Sequence, residues 1–141
     1  MVAPVVDGRS GEGAVEVRME PDTRYAIDPT VRYGPLEIVD VPALVAAGTE
    51  PWWNRSLCLV NDCVVRLGVF LGEFHWHKHD REDEFFHVVS GRLTIDLEGR
   101  VVELAPGQGF MIPRGVVHRT RAAEKTVVLM VEGAGVRPTG D

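Results

Sequence analysis

Turn-forming residues recur at short, nearly even intervals after Trp52, and this rhythm restricts the fold more than any other feature of the chain. The breaks fall at Asn61-Asp62, Gly72, Ser90-Gly91, Glu98-Gly99, Pro106-Gly107 and Pro113-Arg114-Gly115. Between them lie β-branched pairs, Val64-Val65, Val101-Val102 and Val127-Val128, which suit a pleated, half-buried surface. Many short strands at such spacing predict a closed or sandwiched all-β architecture, and closure also removes the unpaired edges that recruit other chains. One helix is predicted before them: Asp40 is an N-cap candidate, Pro42 sits at an early position, apolar spacing continues to Ala47, and Gly48 follows.

The 141 residues suit one domain around one core. Residues 1–24, rich in Gly, Pro and charge apart from the alternating Ala14-Val15-Glu16-Val17, read as a flexible N-terminal arm suited to adding an edge strand to a neighbour. The barrel is expected over 25–132 and a C-terminal tail over 133–141. Fifteen basic against 21 acidic residues, a formal net charge of -6, oppose binding to nucleic-acid phosphates. Met-Val-Ala-Pro-Val-Val is too short an apolar start for a signal peptide, and no run approaches a membrane span, so a cytoplasmic protein without membrane or nucleic-acid partners is expected. If Asn61-Asp62 is a two-residue hairpin turn, Val60 faces Cys63 and Cys58 faces Val65, so the two thiols are expected to be free and reduced.

The chemistry lies in two stretches, His77-Lys78-His79-Asp80-Arg81-Glu82-Asp83-Glu84 and Pro113-Arg114-Gly115-Val116-Val117-His118. Three imidazoles and a carboxylate are ligands for a divalent transition metal. In a strand, residues two apart share a face, so His77 and His79 can converge on one ion. Glu84 returns on the next strand after a charged turn, with Glu82 as the alternative acid, and His118 follows the Pro-x-Gly turn. Four such ligands leave about two positions of an octahedral ion open for chemistry.

Parity extends the pattern. His75, His77 and His79 share one face, opposite Phe74 and Trp76; Glu84, Phe86 and Val88 share another, opposite Phe85 and His87; Val116, His118 and Thr120 go together, opposite Arg119 and Arg121. His87 is thus expected at the surface, and the two arginines on a solvated face. His75 is expected on the metal side about 7 Å along the strand from His77. There it is a candidate catalytic base or a partner of the ligands, since an imidazole suits proton transfer near neutral pH; a core histidine bonded to a carbonyl is the alternative. Val65, Leu67, Val69 and Leu71 are in phase with the histidines if no bulge intervenes at Gly68 or Gly72, with Phe86, Val88 and Met111 as further lining. Such a cavity is mostly apolar and suits a small, partly aromatic or carbonyl compound better than a sugar phosphate.

Gly72, His77-x-His79, Glu84 and Gly91 resemble the first motif of the cupin superfamily, and Gly107, Pro113, Gly115 and His118, within Gly-Gln-Gly-Phe-Met-Ile-Pro-Arg-Gly-Val-Val-His, resemble the second. The likeness to small single-domain bacterial cupins runs from Leu36 to the end, through Phe74-His75-Trp76-His77 and Pro138-Thr139-Gly140-Asp141. It departs at Ala122, where the motif usually has Asn, and in the spacing from Gly72 to His77, one residue short. The resemblance implies a cupin jelly-roll barrel and a homodimer. It also supports one bound Fe, Mn, Ni or Zn on His77, His79, Glu84 and His118. Fe(II) or Ni(II) would suit oxygenation of a small organic substrate, as in dioxygenase-like cupins; Mn(II) or Zn(II) would suit Lewis-acid isomerisation, cyclisation or decarboxylation. A non-catalytic module that binds a small ligand through the metal is the alternative.

Overall fold

The structure, a computed structural model, describes residues 25–141; the arm expected over 1–24 lies outside the described residues. In chain order the elements are β1 (Ala26–Asp28), α1 (Val41–Ala47), β2 (Trp53–Val60), β3 (Cys63–Glu73), β4 (Glu84–Ser90), β5 (Leu93–Leu97), β6 (Arg100–Leu104), β7 (Gly109–Ile112) and β8 (His118–Gly133). The turn signals become the strand boundaries, and the chain folds as a jelly-roll barrel. The β2–β3 hairpin turns on Asn61, whose φ of 49° is one that Asn tolerates better than most residues. Its register sets Val60 against Cys63 and Cys58 against Val65, and both cysteines are free. Helix α1 starts as its sequence predicts: the Asp40 carboxylate accepts from the Ala43 N–H at 3.0 Å.

Sixteen-residue β8 organises the barrel. Its first residues pair with β5, from His118↔Leu97 to Arg121↔Thr94, and its last pair with β4, from Val127↔Ser90 to Glu132↔Glu84, while β3 runs antiparallel along its other edge. Phe70 pairs with Thr126 but Gly72 pairs with Ala122, so β8 advances four residues where β3 advances two. Such a bulge bends a strand and lets it pass from one sheet to the other. Gly72 occupies it with φ 92°, a conformation costly for any residue with a Cβ.

Two apolar clusters result. One fills the barrel, with Trp52, Phe70, Phe74, Phe86, Val88, Ile95, Val128 and Met130 among its members. The other, Trp53, Leu57, Leu67, Val69 and Val127, lies on the opposite face of β3 and is roofed by Val41, Leu44 and Val45 of α1. This reverses the expected phase of β3: Arg66 and Phe70 belong to the interior, Leu67 and Val69 to the outer layer, and Leu71 is exposed. The Gly72 bulge and the irregular backbone after Glu73 uncouple β3 from the parity of the histidines. For the same reason Phe74, expected to face away, is buried in the barrel core. Met111 is exposed rather than lining. Among the described residues no helix is long and apolar enough to cross a membrane.

Candidate metal centre

Three parts of the fold, the β3–β4 connection, β4 and β8, bring one group of four side chains together. His77 and His118 form an isolated antiparallel bridge, each main-chain N–H donating to the other's carbonyl at 2.9 Å, which sets their rings 4.3 Å apart. Two residues on, the His79 carbonyl accepts from the Gly115 N–H at 2.7 Å, tying the metal loop to the Pro-x-Gly turn. Glu84 is the first residue of β4, whose alternation buries Glu84, Phe86 and Val88 and turns Phe85 outward, as parity predicts. Side-chain atoms of His77, His79, Glu84 and His118, all buried, lie within 4.8 Å of one another. The structure brings together the expected set, and Glu82 stands outside it.

The donor chemistry fits a metal ion. His77 Nδ1 lies 2.9 Å from the His75 carbonyl and His118 Nδ1 2.9 Å from the Val116 carbonyl. Each ring therefore donates through Nδ1 and presents an Nε2 lone pair, the orientation second-shell carbonyls impose on metal-binding imidazoles. His79 Nε2 and His118 Nε2 each stand 3.4 Å from a Glu84 oxygen. Yet both ring nitrogens of His79 and the Nε2 of His118 are buried without a hydrogen-bond partner. Buried polar atoms left unpaired cost about 1–3 kcal/mol each, and a shared cation removes that cost. Two atoms each bonded at about 2.1 Å to one ion lie roughly 3–4 Å apart, which the 3.4 Å separations meet.

Burial, followed by the neighbouring His118, pushes His77 down to about 3, so its lone pair is free in neutral solution. At Glu84 burial opposes ionisation, but contacts with Glu132, His118 and His79 outweigh it and hold the carboxyl well below its ordinary value. Glu132 goes the other way: burial and the adjacent Glu84 push it up to about 10, although Arg66 Nε lies 3.9 Å from its carboxylate. Of this pair, Glu84 carries the charge and Glu132 the proton. The Arg66 guanidinium is itself held by Asn54 Oδ1, at 2.8 Å from Nε and 2.6 Å from an Nη.

A small cavity opens beside the ligands, lined by Trp52, Asn54, Phe70, Phe74, His77, Glu84, Phe86, Thr120, Met130, Glu132 and Pro138. It is less apolar than the sequence suggests. Asn54, Arg66 and Glu132 belong to no motif, and Arg66 and Glu132 sit within otherwise apolar strand segments. A lone charge in Val64-Val65-Arg66-Leu67, or closing Val127-Val128-Leu129-Met130-Val131-Glu132, was the available signal.

His75 stands next to the group but outside it. Its Nε2 lies 2.6 Å from the Thr139 carbonyl and its Nδ1 3.4 Å from the Tyr25 hydroxyl. The tail it holds is anchored further by Asp141 N–H to the Lys78 carbonyl at 2.9 Å and Asp80 N–H to Asp141 Oδ2 at 2.7 Å. Gly140 fits because a Cβ there would come within 2.6 Å of His77 Cβ. His87 is half-buried on the outer side of β4. Arg119 and Arg121, expected on a solvated face, both bind Asp96 of β5, at 2.7 and 2.8 Å.

A family model for the cupin domain matches residues 71–132. The chain is 46% identical over 80 residues to the uncharacterised protein YdbB of Bacillus subtilis (strain 168), spanning 56% of this chain and 71% of that one. It is 47% identical over 58 residues to polyketide synthase CurC of Streptomyces cyaneus, covering 41% of this chain but only 36% of that protein. Among solved structures, a cupin-2 domain-containing protein from Shewanella frigidimarina is 29% identical with a TM-score of 0.65, over 68% of this chain and 94% of that one.

Proposed function

This chain belongs to the cupin family, and from that premise we propose that it is a metal-dependent enzyme acting on a small, largely aromatic substrate derived from a polyketide. The observation that carries the reading is the set of unpartnered imidazole nitrogens around an ionised Glu84, opening onto a cavity walled by Trp52, Phe70, Phe74 and Phe86. The substrate class draws on the likeness to the polyketide synthase protein of Streptomyces cyaneus and on this aromatic wall.

In this reading His77, His79, Glu84 and His118 hold one Fe, Mn, Ni or Zn ion. When bound, the ion supplies Lewis-acid polarisation of a carbonyl or enol oxygen, or redox chemistry if it is iron or nickel. The chain's own residues do the rest. The His75 and Val116 carbonyls fix the ligand tautomers, and Glu84 offsets part of the ion's charge. Trp52 stacks against Phe70 and Phe74, with interplanar angles of 17° and 7°. This stack gives a flat substrate a wall to lie against and keeps water from the reacting face. Pro138 closes one side through the tail that His75 holds, and His75 stands within one ring contact of His77 as the nearest candidate for proton transfer.

Elemental analysis of protein purified without added metal or chelator tests the first step; about one ion per chain is expected. His77→Ala, His79→Ala and His118→Ala should each lose it while staying folded. Stoichiometric metal in all three variants overturns the assignment. Incubation with hydroxylated polycyclic aromatics then separates enzyme from binder: product formation is expected, whereas tight retention without product makes the protein a binding module.

A further inference from the structure

Asn54 is a polar side chain in the cavity wall, and the metal site does not use it. It belongs to β2, is 6% exposed and lines the cavity together with Phe70, Phe86 and Met130. Its Oδ1 accepts from Arg66 Nε at 2.8 Å and from an Arg66 Nη at 2.6 Å. A guanidinium only donates, so these two contacts fix the sense of the amide: the oxygen is turned to Arg66 and the nitrogen away from it. Among the described residues nothing accepts from Nδ2, and Nδ2 is not one of the polar atoms sealed off without a partner. Its open surface is therefore turned to the cavity that Asn54 lines. Arg66 is itself 1% exposed and held in place, and two charge-assisted bonds to Oδ1 polarise the amide and strengthen its N–H groups as donors.

We propose that Asn54 is a specificity-determining residue: its Nδ2 donates a hydrogen bond to a carbonyl oxygen of the aromatic substrate, and Arg66 is the positioning residue that holds the amide in that sense. This deepens the proposed function and rests on its reading of the substrate as an aromatic compound. The amide lies outside the donor group of His77, His79, Glu84 and His118, so the carbonyl it reads is a point of recognition separate from the ion. A donor presented to an aromatic-walled cavity favours a ligand that brings an acceptor, and it rejects the isostere that leaves the N–H unpaired. The selection depends on Arg66. Without that cation the amide is at liberty to turn its oxygen to the cavity, and the preference for an acceptor is lost.

The test uses acetophenone and α-methylstyrene, single-ring compounds that differ only in a carbonyl against a methylidene group, with binding measured by equilibrium dialysis on metal-loaded and metal-stripped protein. The quantity read is the ratio of the two affinities, so the ketone's stronger hydration cancels between variants. Asn54→Asp keeps an oxygen on Arg66 and puts an acceptor where the donor was. It should lower the ratio by about 10-fold or more relative to wild type, the worth of one buried hydrogen bond, with and without metal. The double variant Asn54→Leu/Arg66→Met removes amide and cation together, guarding against misfolding from an uncompensated charge, and should lower the ratio similarly. Arg66→Met should lower it as well, and Arg66→Lys, which keeps a donor for Oδ1, should restore it. A ratio unchanged in both Asn54 variants overturns the proposal, as does one that responds only to stripping the metal, because the ion then takes the carbonyl. A ratio that Arg66→Met leaves at the wild-type value overturns the positioning role. Each of these results leaves the aromatic-substrate reading standing while both compounds bind wild type. Binding of neither overturns both.

Discussion

The two faces of β3 have been put to opposite uses. On the outer face Leu67 and Val69 join Trp53, Leu57 and Val127 in an apolar layer beneath α1. On the inner face Arg66 and Phe70 look into a barrel whose apolar wall surrounds Asn54, Glu84, Glu132 and three imidazoles. The outer layer is held by apolar packing. The inner one leaves nitrogens on His79 and His118 and an oxygen on Glu132 without partners. The unpaired polar groups thus lie on one side of the strand and the dry packing on the other, and under the proposed function the imidazole nitrogens are the ones a metal would satisfy.

That contrast is most exposed at Leu67, which is 0% exposed in the outer layer. Leu67→Ala should cost about 2–5 kcal/mol in urea unfolding, yet the fraction that remains folded should bind metal with unchanged stoichiometry. Loss of metal affinity in proportion to stability would show that the two faces are not separable. His79→Leu is the mirror image. Metal affinity should drop by more than about 100-fold, beyond what loss of an orienting partner costs. The metal-free protein should be as stable as wild type or more so, since two unpaired nitrogens are replaced by hydrocarbon. A clear destabilisation of the metal-free form would mean that His79 supports the fold.

His75 sits on the boundary. His75→Phe should retain the metal, because the ring is outside the ligand group. The rate then sorts its roles: a fall of roughly 10²–10⁴-fold marks proton transfer, and a change under about tenfold marks a ring that only ties Thr139. The smallest effect belongs to neither face. Arg121 and Arg119 hold the Asp96 carboxyl below its ordinary value. A depressed acid contributes stability that is present above its unfolded value near 3.8 and lost as the pH falls through the folded value. The gap between wild type and Asp96→Asn, under about 1 kcal/mol for partly exposed pairs, should therefore be open at pH 6 and narrow below pH 4. A gap that widens in acid would reverse the sign.

What could be read from residues in order was what depends on near neighbours. Turn residues set the strand boundaries; Asp40, Pro42 and Gly48 set the one helix; the two-residue turn set the cysteine register; and the spacing of His77, His79, Glu84 and His118 set the ligand group. Each follows from local dihedral preference or from the two-residue period of a strand. The interior of the cavity does not. Which face of β3 looks inward was decided by its long-range pairing with β8, and the irregular backbone after Glu73 breaks the two-residue period that would have tied that face to the histidines. Long-range pairing then carried Arg66 from β3, Asn54 from β2 and Glu132 from the end of β8 to one place. It also laid the tail from Pro138 to Asp141 against the metal loop. No local preference encodes those meetings; only closure of the barrel brings together strands so far apart in the chain.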